Sequence, residues 1–151
     1  MVGSTDKKYL AEGIGEYQKR LVHYLPFEMK VIPDIKNNRN LTEEQQKEKE
    51  GKNILEQVNA GDELVLLDSG GAEYTSSGLA GWIEKRMISG TRQLIFVVGG
   101  PYGFSDAVYK RADSKISLSR LTFPHQLVRL LFMEQLYRAM TIIKGEPYHH
   151  A

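Results

Sequence analysis

The chain predicts an α/β fold, a mostly parallel sheet with helices on both faces, and three observations carry that prediction. Its hydrophobic period switches repeatedly between helix-like and strand-like spacing, so the two kinds of element alternate along the sequence. The run Glu63-Leu64-Val65-Leu66-Leu67-Asp68 is continuously apolar in its middle rather than alternating, which marks a strand covered on both faces. Helical segments separate the later strands, as parallel pairing requires, because a parallel neighbour is reached only through a crossover.

Taken in order, Tyr9, Leu10, Ile14, Tyr17 and Leu21 fall at helical spacing and predict an amphipathic helix over 7–24, with Pro26 at its exit. Phe27, Met29 and Val31 alternate with Glu28, Lys30 and Ile32 as in a half-buried strand, ending at Pro33 and an Asn-rich loop, Asn37-Asn38-Arg39-Asn40. Thr42-Glu43-Glu44-Gln45 is a capping-box pattern that opens a very polar helix to about residue 59, its apolar residues late, at Ile54, Leu55 and Val58. After the strand at 63–68, Ser69-Gly70-Gly71 predicts a turn. Thr75, Ser76 and Ser77 offer N-caps to a helix carrying Leu79, Trp82, Ile83 and Met87, which yields near Gly90 to a strand at 93–98. A short helix at 105–112 and a strand at 115–119 follow. The last helix begins at Pro124 and runs to about Lys144, where Gly145 ends it.

A length of 151 residues and 41% hydrophobic content suit one domain spanning 1–151 with a sizeable core. No apolar stretch approaches the roughly 18 residues of a membrane span, and the first residues lack a signal-peptide layout, so a cytoplasmic protein is expected. The absence of cysteine excludes disulfide frameworks, thiolate nucleophiles and Cys-based zinc sites. Of the four histidines, His149 and His150 lack a third partner at suitable spacing, and no metal is expected. The net charge of +1 hides a split, with 10 Lys/Arg against 15 Asp/Glu in residues 1–84 and 10 against 4 in residues 85–151. The basic half suits a polyanion such as nucleic acid, and it equally suits ordinary solvated surface. Apolar residues cover most of the last helix, which fits either a homodimer interface or a central core helix.

Two segments concentrate the chemistry. Val97-Val98-Gly99-Gly100-Pro101-Tyr102-Gly103-Phe104 and Ile116-Ser117-Leu118-Ser119-Arg120-Leu121-Thr122-Phe123-Pro124-His125-Gln126 each run from an apolar strand into a loop whose backbone amides and carbonyls are exposed. Side by side, such loops make a pocket. The glycines match neither a G-x-G-x-x-G fingerprint nor a phosphate loop.

These runs, with Leu66-Leu67-Asp68-Ser69-Gly70-Gly71, Glu134-Gln135-Leu136-Tyr137-Arg138-Ala139 and Gly145-Glu146-Pro147-Tyr148-His149-His150, closely resemble the bacterial ribosomal RNA large subunit methyltransferase H family, the smallest kind of SPOUT methyltransferase. The resemblance covers nearly the whole chain, and five motifs in order are far more specific than any one. It implies an α/β sheet whose C-terminal segment is threaded into a trefoil knot, and a homodimer formed by the knotted region; nothing in the periodicity indicates a knot. The implied activity is transfer of a methyl group from S-adenosyl-L-methionine to N3 of a pseudouridine in 23S ribosomal RNA, within the assembled 70S ribosome.

Carried over by position, the resemblance places the cofactor on Leu67, Gly99, Leu118, Ser119, Arg120, Leu121, Thr122 and Phe123, with Gly100 and Gly103 allowing close backbone approach. N3 must lose a weakly acidic proton, so a base or a nearby cation is needed, and His125, Arg129, Tyr148 and His149 are the catalytic candidates. His125 also reads as a space-filling or capping residue, and the tail also reads as frayed chain. Family members open with a complete apolar strand before the Val-Gly turn, whereas Met1 directly precedes Val2-Gly3 here, so the comparison implies that most of that strand is missing and a sheet edge exposed. Two other function classes stay open, a catalytically silent ribosome-binding module of the same fold and an α/β enzyme using another nucleotide cofactor.

Overall fold

The structure, a computed structural model, describes residues 1–35 and 38–150. In chain order its elements are α1 (Lys8–Leu21), a 3₁₀ turn (Asn38–Asn40), α2 (Glu43–Glu56), β1 (Glu63–Glu73), α3 (Ser76–Ile88), β2 (Leu94–Val98), α4 (Asp106–Arg111), β3 (Ser114–Ser117) and α5 (His125–Ile143). Asn37 of the expected Asn-rich loop lies outside the described residues. The chain divides into two compact units, the first of Met1–Ser4, Lys30–Ala72 and Arg92–Arg120, the second of Thr5–Met29, Glu73–Thr91 and Leu121–Ala151.

The first unit holds an all-parallel sheet in the order β2-β1-β3. β1 and β2 pair from Glu63↔Leu94 to Leu67↔Val98, a register that brings Leu67 beside the last residue before Gly99. Consecutive burial of Leu64, Val65, Leu66 and Leu67 fits the continuous apolar run, since neighbours on a strand face opposite ways. Leu64, Leu66 and Val97 form a core with Ile54 of α2, Val108 of α4 and Phe104. α2 starts at the capping box, where Gln45 N donates to Thr42 Oγ1 at 3.1 Å and Thr42 N to Gln45 Oε1 at 3.0 Å. α4 starts at Ser105, whose Oγ accepts from Val108 N.

Two expectations are corrected here. Ser69-Gly70-Gly71 makes no turn: β1 continues through it to Glu73. A Cβ added to Gly71 would sit 2.6 Å from backbone atoms of Lys115 and Ile116, so the glycine serves close approach of another chain segment rather than reversal. Nor do residues 27–32 form a strand. Their burial alternates as far as Lys30, yet Val31 is exposed, and Ile32 forms a single parallel bridge to Val2. A one-residue bridge, with hydrogen bonds of 2.7 Å from Gly3 N to Ile32 O and from Ile32 N to Met1 O, leaves no ladder to propagate. Val2 is itself buried and donates to Val98 O at 3.2 Å.

The second unit is helical, with α1 and α3 both packed on α5. Gly13 lets α1 approach closely, because a Cβ there would meet Leu130 at 2.9 Å. α5 buries Phe132, Met133, Leu136, Ala139 and Met140, while Leu127, Val128, Leu130 and Leu131 stay half-buried. Pro124 is the N-cap rather than the first helical residue, its carbonyl accepting from Leu127 and Val128. At the other end Gly145, at φ +71°, donates to Ile142 O while Glu146 donates to Thr141 O, a Schellman closure that turns the chain back. Among the described residues no helix is long and apolar enough to cross a membrane.

Candidate functional site

Of the residues expected to hold a cofactor in the first unit, Gly99, Gly100 and Gly103 follow the end of β2 and Leu118, Ser119 and Arg120 the end of β3, the edge at which open α/β sheets bind ligands, while Leu67 lies within β1. Leu67 is buried, and the Leu67↔Val98 pair is the last rung before the β2 chain leaves the sheet at Gly99-Gly100. Gly103, at φ +81°, closes that loop by donating to Gly100 O at 3.3 Å, a conformation strained for any side-chain-bearing residue. Gly99 lies under the Phe104 ring, which a Cβ would approach to 2.9 Å. Beyond β3, Ser117 Oγ donates to Ser119 O at 3.0 Å and pins the bend that carries half-buried Leu118 and exposed Arg120. In the second unit the same segment continues with Leu121, 72% exposed, then exposed Thr122 and half-buried Phe123.

Two acidic residues beside these loops escaped the sequence reading. Glu50 belongs to the polar helix α2 yet is buried, receives Gln46 Nε2 at 3.1 Å, and lies 3.1 Å from where a Gly100 Cβ would stand. The available signal was spacing: Glu50 precedes Ile54 by four residues and so shares its inward face. Asp68, directly after Leu67, accepts from Gly70 N at 3.4 Å and borders an open groove of about 450 Å³ with Tyr109 and Lys115. Burial, then the neighbouring Asp68 carboxylate, pushes the Tyr109 phenol up, so it stays protonated.

In the second unit the four catalytic candidates fall in two places. His125 opens α5, half-buried, and among the described residues no side-chain hydrogen bond engages it. Arg129, one turn on and on the same face, is 1% exposed, with Nη1 donating to Thr5 Oγ1 at 3.0 Å. Tyr148 and His149 instead dock far along the helix. The Tyr148 hydroxyl donates to Glu134 Oε1 at 3.2 Å, its ring meets Tyr137 edge-on at 4.8 Å, and Arg138 lies 4.9 Å from its ring centre. His149 Nδ1 is 3.1 Å from Arg138 Nη1. The tail is thus tied down, helped by Tyr24, which donates to Glu146 Oε2 at 2.6 Å. Burial, then contact with Tyr17 and Glu134, pushes the Tyr148 phenol well up, so it stays protonated near neutrality.

The separation has a chemical consequence. At about 1.5 Å per residue, the thirteen steps from His125 to Arg138 span about 20 Å. The helix positions that hold His125 and His149 of one chain therefore lie about 20 Å apart. Not all of the basic half is surface either: Arg111 is spent on Asn59 O and Asp62 O at 3.0 and 2.8 Å, while Lys85, Arg92, Lys110, Lys115, Arg120 and Lys144 remain exposed. Among the described residues no group of three or more potential ligands could hold a metal.

A family model described as "Predicted SPOUT methyltransferase" matches residues 1–149. The chain is 60% identical over 150 residues to a protein of Parabacteroides distasonis named Ribosomal RNA large subunit methyltransferase H, covering 99% of this chain and 96% of that one. Proteins with the same name from Christiangramia forsetii and Flavobacterium johnsoniae are 58% and 54% identical, each over 99% of this chain and 95% of theirs.

Proposed function

From the premise that the chain belongs to the SPOUT methyltransferase family, we propose that it transfers a methyl group from S-adenosyl-L-methionine to N3 of a pseudouridine in 23S ribosomal RNA of the assembled 70S ribosome, in the cytoplasm. The observation that carries this reading is the parallel order β2-β1-β3, in which the 99–103 and 118–120 segments both leave the carboxyl ends of their strands, with Leu67 on the strand between them. The names of the relatives support the RNA substrate.

The residues present fit the donor. Gly103 leaves the loop backbone uncovered by side chains, Gly99 packs against the Phe104 ring, Leu67 and Leu118 offer apolar side chains, and Gly100, Ser119 and Arg120 add main-chain polar groups. When bound, S-adenosyl-L-methionine supplies a methyl carbon already activated by its sulfonium charge. The protein's task is then to orient the acceptor and handle one proton. His125, uncommitted at the start of α5, takes the proton from N3, and the guanidinium of Arg129 on the same helix face favours the anion left behind. Tyr148, kept protonated, and His149 meet the base from the tail.

Since one chain docks its tail on Glu134 and Arg138, about 14–20 Å along α5 from its own His125, the working unit is a homodimer in which each tail serves the partner's α5. Half-buried Leu127, Val128 and Leu131 suit that seam. One domain over 1–151 and the family's C-terminal knot complete the proposal. Calorimetric titration with S-adenosyl-L-methionine tests the reading: saturable binding is expected, and no heat of binding contradicts it.

A further inference from the structure

We propose that Glu134 and Arg138 are positioning residues that present His149 as a hydrogen-bond donor through Nε2–H, a role resting on the methyltransferase reading for what that donor meets. Glu134 is the centre of a network. Its Oε1 accepts Arg138 Nε at 3.0 Å, Arg138 Nη2 and the Tyr148 hydroxyl, while its Oε2 accepts Gln135 Nε2 at 2.8 Å. Gln135 in turn accepts from Ser76 Oγ of α3 at 2.7 Å, so the carboxylate is held from a second helix. Clamped this way, with the Tyr148 ring alongside, Arg138 has one direction in which to offer Nη1, and His149 Nδ1 lies there at 3.1 Å.

The chemistry of the pair fixes the imidazole. A guanidinium donates and never accepts, so Nδ1 must accept with its lone pair, and the ring proton of the neutral side chain resides on Nε2. Neither nitrogen then has a lone pair left for the proton on N3, which leaves His125 as the proton acceptor. What His149 offers is an N–H aimed away from α5. In a uracil-type ring the carbonyl oxygens flank N3 and take up charge as its proton leaves, and a pre-oriented N–H donor stabilises that charge.

Nitrogen-15 NMR of the intact protein reads the tautomer directly, with the His149 signals assigned through a His149→Asn variant. The Nε2–H pattern is expected in the wild type. Arg138→Met should give a mixture of tautomers and lower kcat for methyl transfer roughly a hundredfold, with the KM for the methyl donor changed by less than about twofold. Glu134→Gln, which loosens Arg138 while keeping its charge, should shift both readouts the same way by less. An Nδ1–H pattern in the wild type, or an unchanged His149 spectrum in both variants, overturns the proposal; the wild-type spectrum decides alone should a variant not fold. An Nε2–H pattern in a protein that binds no S-adenosyl-L-methionine would sink the methyltransferase reading and leave this arrangement standing.

Discussion

Gly71 shows how much a missing side chain can determine. Alanine there would place Cβ 2.6 Å from the Lys115 and Ile116 backbone, and backbone cannot rotate away as a side chain does. Gly71→Ala should therefore destabilise by at least about 1–3 kcal/mol in urea unfolding. Gly81, inside α3 with open space around it, is the control: Gly81→Ala should be neutral or stabilising by up to about 1 kcal/mol. Equal midpoints for the two variants would contradict the packing. The sequence made Gly70-Gly71 visible as glycines but not as an extended crossing, because a turn and a close approach both ask for the same absent Cβ. Glu50 was hidden for a related reason: composition marks α2 as solvated, and only the four-residue step to Ile54 betrays which carboxylate turns inward.

Among elements, the strongly patterned ones were legible and the long-range ones were not. The capping box located the start of α2, and the continuous run Leu64–Leu67 identified a strand buried on both faces. The alternation over 27–32 misled because burial alternates wherever one side of an extended segment is covered, whereas a strand also needs a neighbouring chain to pair with. The docking of the tail was equally unreadable, since it depends on α1 and α5 bringing Tyr24, Tyr137 and Glu134 to the returning chain. That docking carries a pH signature. The bond to Glu146 holds the Tyr24 phenol above its ordinary 10.0, so near that pH the unfolded chain loses a proton that the folded chain keeps. The stability this contributes is complete below about pH 10 and declines as the pH rises further. Tyr24→Phe should flatten the fall in urea midpoint between about pH 9 and pH 11; an unchanged slope would remove the tie between α1 and the tail.

For the molecule as a whole, the order of motifs revealed the family, while the separation of the catalytic candidates emerged only from α5, which sets the tail's contacts at Glu134 and Arg138 about 14–20 Å along the helix from His125. The proposed twofold dimer with exchanged tails is testable by complementation. His125→Ala and His149→Ala should each be nearly inactive, yet when mixed and allowed to exchange they should recover about a quarter of wild-type turnover, because half of the dimers then contain one intact pairing. No recovery despite proven exchange would place both residues in one chain's site. The modest net charge of +1, with basic residues such as Arg111 spent on structure, argues that bare RNA is gripped weakly and that the ribosome itself supplies most of the docking surface. The most direct measurement is transfer of labelled methyl from S-adenosyl-L-methionine to intact 70S ribosomes and to naked 23S RNA, side by side. Label on N3 of a pseudouridine in the ribosome and little on the free RNA is the predicted result; no label on either, or equal label on both, contradicts it.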